Sequence, residues 1–199
     1  MEKKELKGHL ILLMAPSGSG KKSVFDAVLA NHRDIYFAKT FTSRKIRQGV
    51  EENPLYMFIS EEEFLKMIDE KAFVEWANYS GNYYGTSIAD VMKPLEEGKI
   101  VFKEMELQGV QQMKKVVPEE HRTIIYIDGG EWSCLERRIL DRAPISSEEL
   151  EMRRQRYEEE CKAMPAADVV ITNHDGQLTE AQQQVEAVMQ DVIKRTTNT

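Results

Sequence analysis

Cysteine is nearly absent from this chain: its 199 residues hold two, Cys134 and Cys161. That excludes a disulfide framework and suits a reducing cytosol. Each cysteine reads as a small core or surface residue, not as a nucleophile. No apolar run approaches the ~20 residues that span a bilayer, and the opening Met1-Glu2-Lys3-Lys4-Glu5 carries no signal-type apolar region. A soluble, cytoplasmic protein without membrane partners is expected. Repeats, low-complexity tracts and linkers are missing as well, so one domain with small inserted lobes accounts for the length. Positive charge is not in excess. The net charge of −7 argues against nonspecific nucleic-acid binding, which needs a positive field. Nucleotides stay open, because they need only a local cationic pocket. What the chain does have, 41% hydrophobic and 31% charged residues, describes a soluble globular protein.

One stretch organises the rest: Met14-Ala15-Pro16-Ser17-Gly18-Ser19-Gly20-Lys21-Lys22-Ser23. It follows the apolar run Leu10-Ile11-Leu12-Leu13, which reads as a buried strand. It precedes Val24, Phe25, Val28 and Leu29, spaced to share one helix face. Strand, glycine loop and helix in that order are the context in which a phosphate-binding loop works. Gly18 and Gly20 can adopt backbone angles closed to other residues, turning successive N–H groups onto an anion. The helix N-terminus adds partial positive charge, and Lys21 supplies a mobile full charge for the outer phosphates. The match to G-x-x-x-x-G-K-[ST] departs at Ala15 and Lys22, with a hydroxyl one place later at Ser23. That shift resembles the adenylate kinase loop. Further cations cluster at Arg44, Lys45 and Arg47, and at Arg137, Arg138, Arg142, Arg153 and Arg154. Any one of them alone reads as part of a solvated face; their grouping around the loop signal gives them meaning.

Along the chain, a first helix is expected to end near Asn31, followed by a strand over 36–42. From Thr40 to about Ser87 the texture turns aromatic. Strands are expected over 56–59, 73–79 and 82–86 around a Ser80-Gly81 turn. Between them Ser60 and Glu63 form a capping box for a helix with Phe64, Met67 and Ile68 on its apolar face. Beyond Ser87 a strand–helix rhythm resumes: helix to about Glu97, strand 100–102, helix 107–116, strand 123–127, helix 132–140. A charged helix opens at Ser146 and Glu149 and runs to about Lys162. Strand 169–172 follows, then a last helix capped by Thr179 and Gln182, with Ala181, Val185, Val188, Met189 and Val192 as its stripe. Such alternation implies an α/β fold, an open and mostly parallel sheet between helices.

Ordered motifs now resemble the guanylate kinases, P-loop nucleoside monophosphate kinases, over roughly residues 8 to 195. They are Thr40-Phe41-Thr42-Ser43-Arg44-Lys45-Ile46-Arg47-Gln48-Gly49, Tyr56-Met57-Phe58, Glu75-Trp76-Ala77, Gly81-Asn82-Tyr83-Tyr84-Gly85-Thr86, Glu104-Met105-Glu106-Leu107-Gln108-Gly109, Arg138 and Arg142 with Arg153, and Ile171-Thr172-Asn173. The resemblance implies a P-loop NTPase-type parallel sheet flanked by helices, with an inserted mixed α/β GMP-binding lobe over 40–86 and a helical lid over 142–153. The core is then 8–39, 87–141 and 154–199. It implies ATP-dependent phosphorylation of GMP, and of dGMP, with Mg²⁺ as cofactor and a monomer or homodimer.

Chemistry assigns roles within that resemblance. Arg44 and Arg47 can fork onto the GMP phosphate, with the Tyr56 and Tyr84 hydroxyls beside them. Glu75 suits the N1–H and N2–H₂ donors of guanine, with Thr86, Thr40 and Glu104 as further contacts. A site built on such hydrogen bonds rejects analogues that lack them. ATP falls to Ala15, Pro16, Ser17, Gly18, Ser19, Gly20, Lys21, Lys22, Ser23 and Asn173. Catalysis falls to Lys21, Arg138, Arg142 and Arg153, and the metal to Glu106 and, through water, Ser23. The acceptor phosphate is already an anion, so no general base is needed; positioning and charge neutralisation carry the reaction.

Beyond the glycine loop, the departures from the family pattern are Ile46 and Val50 in the first arginine motif, Glu104 and Glu106 for two aspartates, and Gly129-Gly130 for a proline pair. Two classes of function follow. One is an active ATP:GMP phosphotransferase. The other is a weak or silent relative that binds nucleotide or phosphopeptide. Lys21 and the lid arginines favour the enzyme.

Overall fold

A computed structural model describes residues 5–46, 54–79, 81–142 and 144–197. Arg47, Val50 and Ser80 of the readings above lie outside them. In chain order the elements are β1 (His9–Met14), α1 (Lys21–Asn31), β2 (Tyr36–Phe37), β3 (Thr40–Thr42), β4 (Tyr56–Phe58), α2 (Glu61–Asp69), β5 (Phe73–Tyr79), β6 (Asn82–Ser87), α3 (Ile88–Glu96), β7 (Ile100–Glu104), α4 (Leu107–Val116), β8 (Arg122–Asp128), α5 (Trp132–Arg142), α6 (Ser147–Ala163), β9 (Val169–Thr172) and α7 (Leu178–Thr197). One sheet has the order β2-β7-β1-β8-β9 and a second the order β4-β3-β6-β5. The chain divides into two compact units: Met1–Leu10, Ile35–Lys103 and Gln108–Arg122 form the first, and Ile11–Asp34, Glu104–Leu107 and Thr123–Thr199 the second.

The second unit is built on apolar strands. Ile11 to Leu13 of β1 are wholly buried, as are Ile125 and Ile127 of β8, the pattern of a strand covered on both faces. β8 and β9 pair in parallel, Ile127 opposite Ile171. Helix α1 buries Val24, Phe25 and Val28 and packs on α7, which buries Ala181, Val185, Met189 and Val192. His32 is 2.8 Å from Glu186 along that seam. The expected cap at Thr179 is corrected here. The helix opens at Leu178, and Gln177 occupies the cap, its carbonyl accepting from Ala181 N–H at 2.9 Å.

In the first unit, α2 carries the full reciprocal Ser60–Glu63 capping box. The expected strand over 36–42 is two strands. β2 pairs in parallel with β7, whereas β3 pairs with β4 and β6. The reason is local. Lys39 N–H donates to the Asp90 carboxylate at 2.5 Å, and Thr40 N–H donates to Leu55 O at 2.8 Å. The chain changes ladder between those two bonds.

Candidate functional site

In the second unit the glycine loop joins β1 to α1. Gly18 and Gly20 have φ of 84° and 83°, the left-handed region that favours glycine. A side chain at Gly20 would also collide with the Asn173 amide. Ala15 has no positive φ, since Lys71 is the one such non-glycine among the described residues; that position therefore does not demand glycine. No side chain caps α1, and its first turn holds no acid. Its leading N–H groups and the helix dipole are thus directed at whatever anion the loop receives. Lys21 lies at the lip, its Nζ 3.2 Å from Ala15 O and 3.3 Å from Glu104. Lys22, the odd cation, turns away down the helix to Asp26 at 2.5 Å, and its side chain is 67% exposed. Ser23, the late hydroxyl, is exposed.

Other elements of this unit brace the loop from behind. Asn173, 4% exposed, donates its amide to Ser19 O at 2.7 Å. Arg138 on α5 donates to Gly18 O at 3.4 Å and to Asn173 O at 3.1 Å. Asp175 holds that guanidinium at 2.9 Å and also takes Arg137. These two arginines hold the Asp175 carboxyl below the usual range, Arg138 most. Arg153 on α6 donates to the Ser17 hydroxyl at 2.9 Å and pairs with Glu149 at 2.5 Å. Arg142 ends α5 exposed. Ser19 is fully buried and its hydroxyl has no hydrogen-bond partner. Gly129 shows why proline is absent there: an added Cβ would stand 2.8 Å from Ser19 Cα and 2.5 Å from Leu135 Cδ2.

The first unit gathers the residues expected on the acceptor side. Thr40 pairs with Tyr56 across β3 and β4, and Thr86 with Glu75 across β6 and β5. Phe41 opposes Gly85 and Thr42 opposes Tyr84, and the same register carried one residue on sets Thr40 against Thr86. Tyr56, Thr40, Thr86 and Glu75 therefore form one row across four strands, on one face. Tyr84, two residues from Thr86, shares that face. Thr86 donates to Glu75 at 2.7 Å. The Arg44 guanidinium lies 5.7 Å from the Tyr56 ring centre and 5.1 Å from that of Phe58, a cation–π arrangement. Tyr56 and Tyr84 meet edge to face at 6.4 Å. Residues of opposite parity build the other face: Tyr83 and Gly85 pack on Phe64 of α2.

One functional candidate escaped the sequence reading. Lys103 on β7 is 4% exposed and donates to Thr40 Oγ1 at 2.7 Å and to Ala38 O at 3.3 Å. Its signal lay in its parity: β7 buries three successive residues, Val101, Phe102 and Lys103. In the second unit, burial raises the Glu160 carboxyl to about 7; Lys21 opposes that shift and Glu106 adds to it, placing Glu160 in the field of both. A cavity of about 410 Å³ in the first unit, lined by Tyr36, Phe41, Asp90 and Lys93, contains none of the expected contacts. The site therefore rests on the loop and the row.

Among the described residues no group of three or more His, Cys, Asp or Glu could hold a metal. Glu106 and the Ser23 hydroxyl, both exposed, are hard oxygen donors. They fit a Mg²⁺ ion that arrives with a polyphosphate and keeps its waters, not one caged by protein. No described helix is long and apolar enough to cross a membrane.

The guanylate kinase family model matches residues 7–192. A guanylate kinase of Prochlorococcus marinus subsp. pastoris (strain CCMP1986 / NIES-2087 / MED4) is 38% identical over 166 residues, covering 83% of this chain and 89% of its own. One from Synechococcus sp. (strain JA-3-3Ab) is 35% identical over 183 residues, covering 92% and 82%. The crystal structure of guanylate kinase from Anaplasma phagocytophilum superposes with a TM-score of 0.67 at 21% identity, over 92% of this chain and 85% of that one. With a glycine loop of this form and relatives at this distance, the chain belongs to the guanylate kinase family.

Proposed function

We propose that this chain transfers the γ-phosphoryl group of ATP to the phosphate of GMP, and of dGMP, releasing ADP and GDP or dGDP. The observation that carries the reading is the Thr86–Glu75 pair in one row with Thr40 and Tyr56, in a chain of this family. Glu75 accepts from the guanine N1–H and N2–H₂ groups. Arg44, with Arg47, Tyr56 and Tyr84, takes the phosphate. On the donor side the loop amides and Lys21 take the ATP phosphates, and Lys21 exchanges Glu104 for them. Arg138, Arg142 and Arg153 supply charge as the phosphoryl group moves. Glu106, and Ser23 through water, would hold a Mg²⁺ ion arriving with ATP, which would supply neutralisation of phosphate charge. The segment 142–153 acts as a lid and 40–86 as the GMP lobe. The enzyme works in the cytoplasm as a monomer or homodimer, without nucleic-acid or membrane partners.

The test is ADP release with Mg·ATP and each nucleoside monophosphate in turn. Release with GMP and dGMP, far above AMP, CMP or UMP, is expected. Equal release with all, or none with GMP, would overturn the proposal.

A further inference from the structure

A buried cation, Lys103 of β7, adjoins the guanine-facing row at Thr40. A lysine at 4% exposure is uncommon, because desolvating an ammonium is unfavourable unless its donors are used. Lys103 uses one of them on a hydroxyl, Thr40 Oγ1 at 2.7 Å. An ammonium has donors only. The Thr40 oxygen must therefore accept from Lys103, and the Thr40 proton is left to donate elsewhere. At the far end of the row the polarity is reversed. Thr86 gives its proton to Glu75 at 2.7 Å, so its oxygen presents lone pairs, and Glu75 is acceptor only. The row thus has a donating position at Thr40, backed by the Lys103 cation, and an accepting, anionic position at Thr86–Glu75.

Guanine has the complementary order. Its O6 and N7 are acceptors, and its N1–H and N2–H₂ are donors; adenine presents an N6–H₂ donor where guanine has O6. We propose that Lys103 is a specificity-determining positioning residue: it locks Thr40 as a hydrogen-bond donor to O6, so the site requires a 6-oxo purine. This inference rests on the GMP reading above. It adds a second, cationic half to the selection made by Glu75. A donor at that position meets the N6–H₂ of AMP with like polarity, which leaves both groups unpaired.

The experiment compares Lys103→Met, which keeps the length and removes the charge, with Thr40→Val. Substrates are GMP, IMP (6-oxo without the 2-amino group) and 2-aminopurine riboside monophosphate (2-amino without the 6-oxo group). Both variants should lose about tenfold in kcat/KM for GMP and IMP, the size of one hydrogen bond to a charged donor. They should change little with 2-aminopurine riboside monophosphate, and KM for ATP should stay unchanged. The double variant should be no worse than either single one, because both remove the same contact. If Lys103→Met fails to fold, Thr40→Val alone carries the same substrate pattern. Equal loss on all three substrates would make Lys103 a mere brace for Ala38 and overturn the inference, and so would an unchanged GMP rate. Those results leave the GMP reading intact. A wild-type protein that does not prefer GMP would sink both.

Discussion

The glycine loop of the second unit and the sheet face of the first expose their polar groups by different means. The loop presents backbone. Its shape comes from two left-handed glycines, and its side chains largely point away or serve as braces. The sheet presents side chains, fixed by strand register in one row. The difference explains where this chain could depart from its family. Ala15 and Lys22 change the sequence of the loop and leave its backbone shape intact: Ala15 needs no positive φ, and Lys22 is paired outward with Asp26. A row of side chains has no such latitude, because each position carries a donor or an acceptor whose sign matters.

Substitutions in the two regions should therefore differ in kind. The largest effect is expected from Lys21→Ala, the one loop side chain whose charge is used. Turnover should fall by about a hundredfold or more, with an unchanged circular dichroism spectrum; retained turnover would remove the phosphate-loop reading. Next comes Glu75→Gln, which should lower kcat/KM for GMP by about tenfold to a hundredfold and leave KM for ATP alone. Loss of both would break the assignment of Glu75 to guanine. Gly20→Ala tests the backbone directly. Strain at φ 83° and the clash with Asn173 should lower stability by about 2 kcal/mol, read as a shift in denaturant midpoint. Lys22→Ser should change turnover by less than about threefold, since an exposed ion pair contributes about 0–1 kcal/mol.

The smallest effect concerns pH. Arg138 and Arg137 depress the Asp175 carboxyl. Its contribution to stability is therefore present above the ordinary carboxylate range and is lost as pH falls through the depressed value. Asp175→Asn should melt slightly lower than wild type at pH 7, and the two should converge once pH falls below the depressed value. A constant difference across pH would mean that the charge is not what holds Arg138.

Much of this could be read in the residues beforehand. Helix α4 begins and ends where Leu107 and Pro118 set it, and β9 where its apolar run lies. The Ser60–Glu63 box and the glycine loop depend on contacts within a few residues, which spacing reveals. What stayed hidden depends on partners far along the chain. Asn173 and Arg138 brace the loop from 154 and 120 residues away, contacts that no local spacing reveals. Lys103 is charged, so composition assigns it to solvent; only its place in β7 buries it. The division of 36–42 into two strands turns on Asp90, 51 residues downstream of Lys39. Gly129 looked like a lost proline until its neighbours showed that no side chain fits.

We propose that donor and acceptor nucleotides are held by these two separate constructions. Titration calorimetry of Mg·ATP and of GMP into Lys21→Ala and Glu75→Gln tests it most directly. A crossed pattern is expected: Lys21→Ala loses Mg·ATP affinity and keeps GMP, and Glu75→Gln loses GMP and keeps Mg·ATP. Parallel loss of both ligands in both variants would contradict it.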